Sequence, residues 1–370
     1  MSTATTGIRL RRREPLTNAT LLMLISIVIF ILMYGAAVLF MGEKGFDKPQ
    51  MLLDLLNGNA YLIILGCSLT VVMIGGGINI SVGGVVGLTA MACALFLRDN
   101  GIKSDVLSIN ATLLLALGIG LAFGLLQGYL ISYLEIQPFI ITLAGMVLAR
   151  GLTTVLSTAP VAIKHEDFKA LVATKIEIPW LGYMKTVRGQ EKLIPATLEL
   201  GVVIALLTVA VIFLMMRKTK LGRGIYALGG NEQSAVMLGI NVKRTRFRSY
   251  VISGLAGFVY LMHTPSANTT SVAMRSEMDA IAASIIGGTL LTGGVGNVIG
   301  TFFGVMILTT IRKIIGLSSL NDSWWQEMAS GAMLGLFIVL QSIVLSTRGK
   351  KVRLPLRRSG PQQENPSGLK

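Results

Sequence analysis

The sequence predicts an all-α, polytopic integral membrane protein with about ten transmembrane segments, some of them broken helices. Of the 370 residues, 52% are hydrophobic and only 14% are charged, whereas a soluble domain usually carries about 25% charged residues. The mean hydropathy is +0.69, and the 42 glycines suit close helix–helix contact in lipid. This composition excludes an ordinary cytosolic enzyme.

The apolar runs give the number of segments. A spanning helix needs about 20 mostly apolar residues. Two apolar regions are interrupted by glycine, 60–97 at Gly75–Gly77 and 279–312 at Gly293–Gly294, and each is expected to contribute two segments. Six uninterrupted runs complete the count: 19–41, 111–134, 139–157, 197–216, 249–264 and 327–346.

The basic residues indicate the orientation. The net charge is +15, and the segments 9–14, 217–248 and 348–370 hold 19 of the 33 Lys and Arg residues. Juxtamembrane Lys and Arg stay on the cytoplasmic side, so both termini and the 217–248 loop are expected to be cytoplasmic. An even number of spans agrees with that, and nucleic-acid binding is not needed to explain the charge.

This topology divides the chain into a basic cytoplasmic N-terminus (1–18), a transmembrane domain (19–346) and a basic cytoplasmic tail (347–370) that is expected to be disordered. Arg312 and Lys313 would lie outside, against the rule, unless 279–312 is re-entrant. The stretches expected to face outward are 42–59, 98–110, 158–196, which is expected to form a small folded cap, and 265–278.

The stretch from Gly75 to Gly84 interrupts an apolar run with flexible backbone and two hydrogen-bonding side chains. Transporters place such helix breaks at membrane depth, where backbone and small polar side chains line a path. Asn79 or Ser81 could cap a helix restarting at Val82. The alternative is a hairpin turn whose glycines serve packing.

A second broken region runs from Ser276 to Gly296. Its acids Glu277 and Asp279 lie beside an apolar segment, and intramembrane carboxylates favour a functional site because burying them is costly. Asp279 could equally be the N-cap of the helix that follows.

The hydrophilic stretch Leu221–Ile240 predicts a short cytoplasmic helix with Asn231 as N-cap and Gly239 at its C-terminal end. Such a helix can dock into a partner's groove, or it is an ordinary amphipathic interfacial helix.

Several kinds of chemistry have no support in the sequence. Cys67, Cys93, His165 and His263 form no disulfide framework or metal spacing, and there is no G-x-x-x-x-G-K-[ST] phosphate loop. An integral-membrane enzyme would need clustered titratable groups, which are missing. An ion-coupled secondary transporter would normally show carboxylates or histidines in mid-span, and the clear spans have almost none.

Three motifs resemble those of the permease subunits of bacterial ATP-binding-cassette (ABC) sugar importers of the ribose/galactoside/xylose/arabinose group. The pattern G-G-x-[DN]-[LI]-S-V-G matches Gly76–Gly83, with Asn79 where Asp is commoner. A second pattern matches Gly222–Ile240. A third matches Glu277–Ala283 followed by Gly287–Gly296.

Within that family the chain most resembles permeases of galactofuranose importers, through residues 137–146 and the Trp324–Trp325 pair. The resemblance implies alternating-access transport of a monosaccharide across the inner membrane, with no covalent chemistry in this chain. Related permeases carry nucleosides or branched-chain amino acids, so these substrates stay open.

The resemblance also implies partners and roles. Two permeases, identical or homologous, would sit on two cytoplasmic ATPases that bind ATP and Mg²⁺, and an extracytoplasmic binding protein would deliver the sugar. The chain itself would hold no cofactor or metal. The ATPase-coupling loop would contain Gly222, Arg223, Tyr226, Gly229, Gly230, Asn231, Glu232, Ala235 and Gly239. The candidates for the translocation path are Gly76, Asn79, Ser81, Gly83, Glu277, Asp279, Gly287 and Gly288.

Overall fold

The computed structural model describes residues 18–99, 106–163, 165–187, 190–253, 266–267, 273–318 and 322–350. These residues form fourteen helices, a short 3-10 turn at Gly42–Lys44 and four strands. The helices are α1 Asn18–Met41, α2 Pro49–Asn57, α3 Ala60–Ile74, α4 Val82–Asp99, α5 Val106–Ser132, α6 Pro138–Leu156, α7 Glu166–Ala173, α8 Leu200–Lys218, α9 Lys220–Gly230, α10 Glu232–Met237, α11 Val242–Ile252, α12 Ser276–Ile286, α13 Val298–Leu317 and α14 Ser323–Lys350.

Helix α3 is the centre of the bundle. Every residue of α3 except Tyr61 is buried, because helices α8, α11, α12 and α13 pack around it. Its sequence is apolar on all sides, which is typical of a helix without a solvent face. The outer helices α1, α5, α6, α8 and α14 keep long apolar faces exposed, as expected for surfaces that meet lipid or another protein.

Both glycine-interrupted regions are broken helices, which confirms the prediction for 60–97 and 279–312. In the first, α3 ends at Ile74 and α4 begins at Val82. In the second, α12 ends at Ile286 and α13 begins at Val298. Gly76, Gly288, Gly293 and Gly294 have positive φ angles between +73° and +92°, a conformation that side chains other than glycine rarely adopt.

The segment 158–196 contains a short helix and β-structure, and an all-α prediction lacked the latter; that it forms an external cap stays a prediction. Strands β2 (Lys175–Val187) and β3 (Gln190–Glu199) form an antiparallel hairpin with Lys175 opposite Glu199, and β1 (Val161–Ala162) pairs with β4 (Ser266–Ala267). The hairpin is fixed to α2, where Gln50 Oε1 accepts from the Thr197 N–H at 2.7 Å.

The structure does not confirm the count of about ten spans. Among the described residues, six helices are long and apolar enough to cross a membrane, namely α1, α5, α6, α8, α13 and α14. The bent pair α2–α3, with an angle of 60°, makes up to seven. Helix α4 has a shorter apolar part, Val82–Arg98, and α12 has only 11 residues.

Several boundaries differ from those predicted. The 42–59 stretch contains α2, which the sequence analysis treated as loop. Helix α12 begins at Ser276, inside the stretch 265–278 that was expected to be external. Helix α14 continues to Lys350, into the predicted tail. Residues 1–17 and 351–370, and most of the predicted span 249–264, lie outside the described residues.

Candidate functional site

Glycines from all three motifs pack against one another, backbone to backbone. Gly229 of α9 lies between Ile74 and Gly294, whose N–H donates to the Ile74 carbonyl at 2.8 Å. A Cβ on Gly229 would overlap that carbonyl, and a Cβ on Gly293 would lie 2.8 Å from the Gly76 Cα. We call Gly76, Gly229, Gly293 and Gly294 the glycine junction. It joins the two helix breaks to the predicted coupling loop.

Helix α9 contacts the second break at another point as well. The hydroxyl of Tyr226 donates to the Gly296 carbonyl at 2.9 Å, and burial raises the pKa of that hydroxyl. At the start of α9, Thr219 Oγ1 accepts from the Gly222 N–H at 3.1 Å. A Cβ on Gly222 would overlap the backbone of Met216, so α8 and α9 meet in a turn that has no room for a side chain.

Helix α10 confirms the short helix predicted within Leu221–Ile240, whereas its cytoplasmic location stays a prediction. Asn231 is its N-cap and accepts from the Ser234 N–H at 2.8 Å. Gly239, with φ +76°, lies just beyond its C-terminal end, and Ala235 is buried against Leu228 and Val242. The remaining apolar side chains, which we call the α10 tip, are exposed: Val236 at 58%, Met237 at 87% and Leu238 at 76%.

Two further coupling-loop candidates lie at the surface. Arg223 is exposed, and its guanidinium donates to the Lys218 carbonyl at 3.2 Å. Gly230 is exposed as well, and a Cβ added to it would meet no atom within 4 Å. A side chain at position 229 would therefore clash with the surrounding backbone, whereas one at position 230 would not.

Two exposed ion pairs connect α11 to its neighbours. Glu232 accepts from Arg246 at 2.6 Å, and Glu135 pairs with Lys243 at 2.8 Å. All four side chains line a cavity of about 580 Å³ that Gly76 also lines. Lys243 lowers the pKa of the Glu135 carboxyl. That pair is therefore complete at neutral pH and is lost only as the pH falls through the lowered value.

A buried polar network precedes α4. Asn79 Nδ2 donates to Ser253 Oγ at 2.7 Å, and Asn79 Oδ1 accepts from the Ser81 N–H at 3.1 Å. Ser81 Oγ lies 2.7 Å from Asn79 Oδ1 and 2.9 Å from Gln127 Oε1. Within the described residues, Gln127 Nε2 is buried with no hydrogen-bond partner. Asn79 thus orders the turn that leads into α4.

Glu277 belongs to α12, and its carboxylate lies against the start of α4. It is in the first turn of α12, and a Cβ on Gly83, the second residue of α4, would overlap its Oε2. Arg150 of α6 points one guanidinium nitrogen, Nη2, at both carboxylate oxygens, at 3.1 and 3.2 Å. The Glu277 side chain is 8% exposed and that of Arg150 is 33% exposed.

Asp279 forms a different ion pair, so the N-cap interpretation of Asp279 is wrong. The residue before α12 is Arg275, which makes no side-chain cap bond. Asp279 instead accepts two hydrogen bonds from Arg312 of α13, at 2.5 and 2.7 Å, and Arg312 Nε donates to Ser330 of α14. Arg312 therefore serves as an internal partner of Asp279.

Gly287 and Gly288 lie apart from this network. A Cβ on Gly287 would overlap the backbone of Gly300 and Thr301 in α13, and one on Gly288 would lie 2.7 Å from the Leu22 side chain of α1. Both glycines end α12 and allow close packing between helices.

The path candidates thus fall into three places. Asn79, Ser81, Gly83 and Glu277 meet at the start of α4. Gly76 belongs to the glycine junction. Asp279, Gly287 and Gly288 pack on α13 and its neighbours.

The sequence analysis missed Gln127, Arg150 and Arg312 as partners. Arg150 is the single charge in α6, and that isolation was a usable signal because a charge inside an apolar span needs a partner. No comparable signal marks Gln127. Among the described residues, no three His, Cys, Asp or Glu side chains could hold a metal ion together.

Comparisons with known proteins agree over most of the chain. A family profile described as "Branched-chain amino acid transport system / permease component" matches residues 51–339. No solved structure matches.

The matches to named relatives extend over most of this chain and most of each relative. The inner membrane ABC transporter permease protein YjfF of Escherichia coli K12 is 35% identical over 343 residues, which cover 92% of this chain and 95% of the relative. The fructose import permease protein FruG of Bifidobacterium longum is 34% identical over 335 residues, with 89% and 92% covered. The ribose import permease protein RbsC of Escherichia coli K12 is 32% identical over 307 residues, with 80% and 87% covered.

These matches indicate a membrane permease, which is the class of protein that the three motifs and the apolar helices also indicate. The chain belongs to the family of ABC transporter permease components described by that profile.

Proposed function

We propose that the protein is the inner-membrane permease of an ABC importer and moves a monosaccharide inward by alternating access. The observation that carries this proposal is the glycine junction. A partner that pushes on α10 acts on α9, and Gly229 transmits that movement to Ile74 and Gly294, at the two helix breaks. Motion at the cytoplasmic surface thereby reaches the segments that line the path.

The coupling surface is the α10 tip. Three exposed apolar side chains on one short helix, capped by Asn231 and anchored by Ala235, suit insertion into a hydrophobic groove of a partner. We assign that groove to a cytoplasmic ATPase subunit, which binds ATP and Mg²⁺. The present chain then performs no covalent chemistry and needs no cofactor of its own.

We assign two permeases to the complete transporter, and part of the long apolar faces that one protomer leaves uncovered would pack between them, with lipid against the rest. The composition of the purified complex will show whether the second permease is identical to this chain or a homologue of it. An extracytoplasmic sugar-binding protein delivers the substrate to the side that carries α2 and the β2–β3 hairpin. Both chain termini are cytoplasmic in this arrangement, as the charge distribution predicts.

The substrate class follows from the relatives, which are named for the import of fructose, ribose and galactose or methyl galactoside. We assign a monosaccharide to this chain and test galactofuranose first. The family description names branched-chain amino acids, so these form the second substrate class in the test.

The test is purification of the tagged protein in mild detergent, identification of the co-purifying chains, and uptake into proteoliposomes that contain ATP inside and receive the sugar-binding protein outside. The substrate panel contains galactofuranose, fructose, ribose, galactose, a nucleoside and leucine. Co-purification of an ATPase and ATP-dependent uptake of one sugar would support the proposal. A folded preparation of this chain alone, with uptake that needs an ion gradient instead of ATP, would contradict it.

A further inference from the structure

The starts of two helices face one carboxylate. Gly83 and Glu277 are the second residues of α4 and α12, respectively, and Gly83 lies against the Glu277 carboxylate. A helix N-terminus carries a partial positive charge of about half a unit, so the Glu277 side chain lies where the dipoles of both helices favour negative charge. The backbone before α12 is also unusual, because Ala273 and Arg275 have positive φ angles of 48° and 63°.

Arg150 completes this charge arrangement from α6. It lies twelve residues after Pro138, which is about 18 Å along the helix, and its side chain is 33% exposed. A guanidinium in mid-span that is a third exposed is costly against lipid tails. This side of α6 therefore faces water or protein. Val147, one turn earlier and on the same side, is 62% exposed.

The two acid–arginine pairs of α12 differ in how many guanidinium nitrogens of the arginine they use. Arg312 places two nitrogens on Asp279 and a third on Ser330, so all three of its nitrogens are engaged. Arg150 uses Nη2 alone for Glu277, which leaves further N–H groups on a partly exposed side chain.

We infer that Arg150 and Glu277 form a binding site for the hydroxyl groups of the transported sugar, and that the Val147 side of α6 lines the translocation path. Each hydroxyl both donates and accepts, and the site offers donors on Arg150 and an acceptor on Glu277. The charges of Arg150 and Glu277 cancel, which suits a neutral ligand. This inference rests on the proposed function and specifies the substrate contacts within it.

The first experiment measures accessibility on the otherwise native chain. Val147→Cys and Leu148→Cys place a thiol at nearly the same depth of α6 but on different sides, and both positions are at least half exposed. The native Cys67 and Cys93 are buried and give little background. We expect sodium (2-sulfonatoethyl) methanethiosulfonate to label Val147→Cys at least about tenfold faster than Leu148→Cys in membranes. Equal labelling of the two, or no labelling at Val147→Cys, would overturn the inference.

The second experiment measures uptake kinetics with the sugar that the proteoliposome panel identifies. We expect Arg150→Lys and Glu277→Gln to raise the KM by about tenfold or more with a smaller change in maximal rate. Lys313→Gln, which removes a cation from α13 outside the site, serves as the control with wild-type KM. A wild-type KM in both site variants would overturn the inference.

The outcome of the labelling is separate from that of the proposed function. If the purified complex transports no member of the panel, the proposed function fails, while the difference between Val147→Cys and Leu148→Cys still reports whether this face of α6 meets water.

Discussion

The two acid–arginine pairs in the first turn of α12 are close in sequence but differ in construction. Asp279 and Arg312 meet through two parallel hydrogen bonds, and Arg312 also contacts α14. Glu277 and Arg150 meet through a single guanidinium nitrogen, at longer distances and with more of the arginine exposed. A bidentate arginine–carboxylate pair fixes the relative orientation of the two side chains and also compensates their charges. The comparison indicates that the first pair holds α12 in place, whereas the second can exchange its partner for a ligand.

The largest expected effect follows from breaking the pair that holds α12. Arg312→Leu leaves the Asp279 carboxylate without its cation at a site where that side chain is 15% exposed. Breaking a buried pair by removing one partner costs about 3–5 kcal/mol, and the partial exposure places this variant near 3 kcal/mol. Thermal unfolding in detergent measures the loss.

The double variant Arg312→Leu/Asp279→Leu serves as the control, because replacing both charges with apolar groups is often neutral or stabilising. We expect it to recover most of the stability. A double variant as unstable as Arg312→Leu alone would show that the pair does not act as a unit.

Arg150→Leu breaks the other ion pair of α12, the one with Glu277. The loss of stability should be smaller, about 1–2 kcal/mol, because the N-termini of α4 and α12 still face the Glu277 carboxylate and Arg150 holds it through one nitrogen only. Uptake should fall much further than in Arg312→Leu once both are normalised to folded protein. Parallel losses of uptake in the two normalised variants would contradict the division of roles.

The smallest effect is expected for the exposed pairs near the cytoplasmic loop. Arg246→Gln breaks the contact with Glu232, whose side chain is 53% exposed. Surface pairs contribute about 0–1 kcal/mol and are screened by salt. We expect a change in unfolding free energy below about 1 kcal/mol that shrinks further at high salt, measured on the purified protein. A change as large as that of Arg312→Leu would place this pair among the main stabilising contacts.

Local patterns in the sequence were enough to predict the helix breaks and the short helix α10. Glycines within apolar runs marked the breaks after Ile74 and Ile286, and Asn231 followed by helix formers and Gly239 marked α10. These features depend on backbone conformation and capping, which are decided by residues a few positions apart.

Contacts between distant segments were not predictable in the same way. The partners Arg150 and Glu277 are 127 positions apart, and no local pattern connects them. The glycine junction likewise needs three segments to converge. The β2–β3 hairpin is a different case, because the alternation in Lys175–Ile178 is a period-two signal that the expectation of a small cap at 158–196 did not use.

ATP hydrolysis by the complete transporter in lipid nanodiscs, measured with and without substrate and binding protein, tests the role of the glycine junction. Gly229→Ala places a methyl group against the Ile74 carbonyl, while Gly118→Ala, where a Cβ meets nothing within 4 Å, is the matched control. Overpacking of this kind costs about 1–3 kcal/mol. We predict that Gly229→Ala still assembles with the ATPase and retains basal hydrolysis but loses stimulation by substrate, whereas Gly118→Ala behaves as wild type. Wild-type stimulation in Gly229→Ala would contradict the claim that the glycine junction couples the cytoplasmic loop to the translocation path.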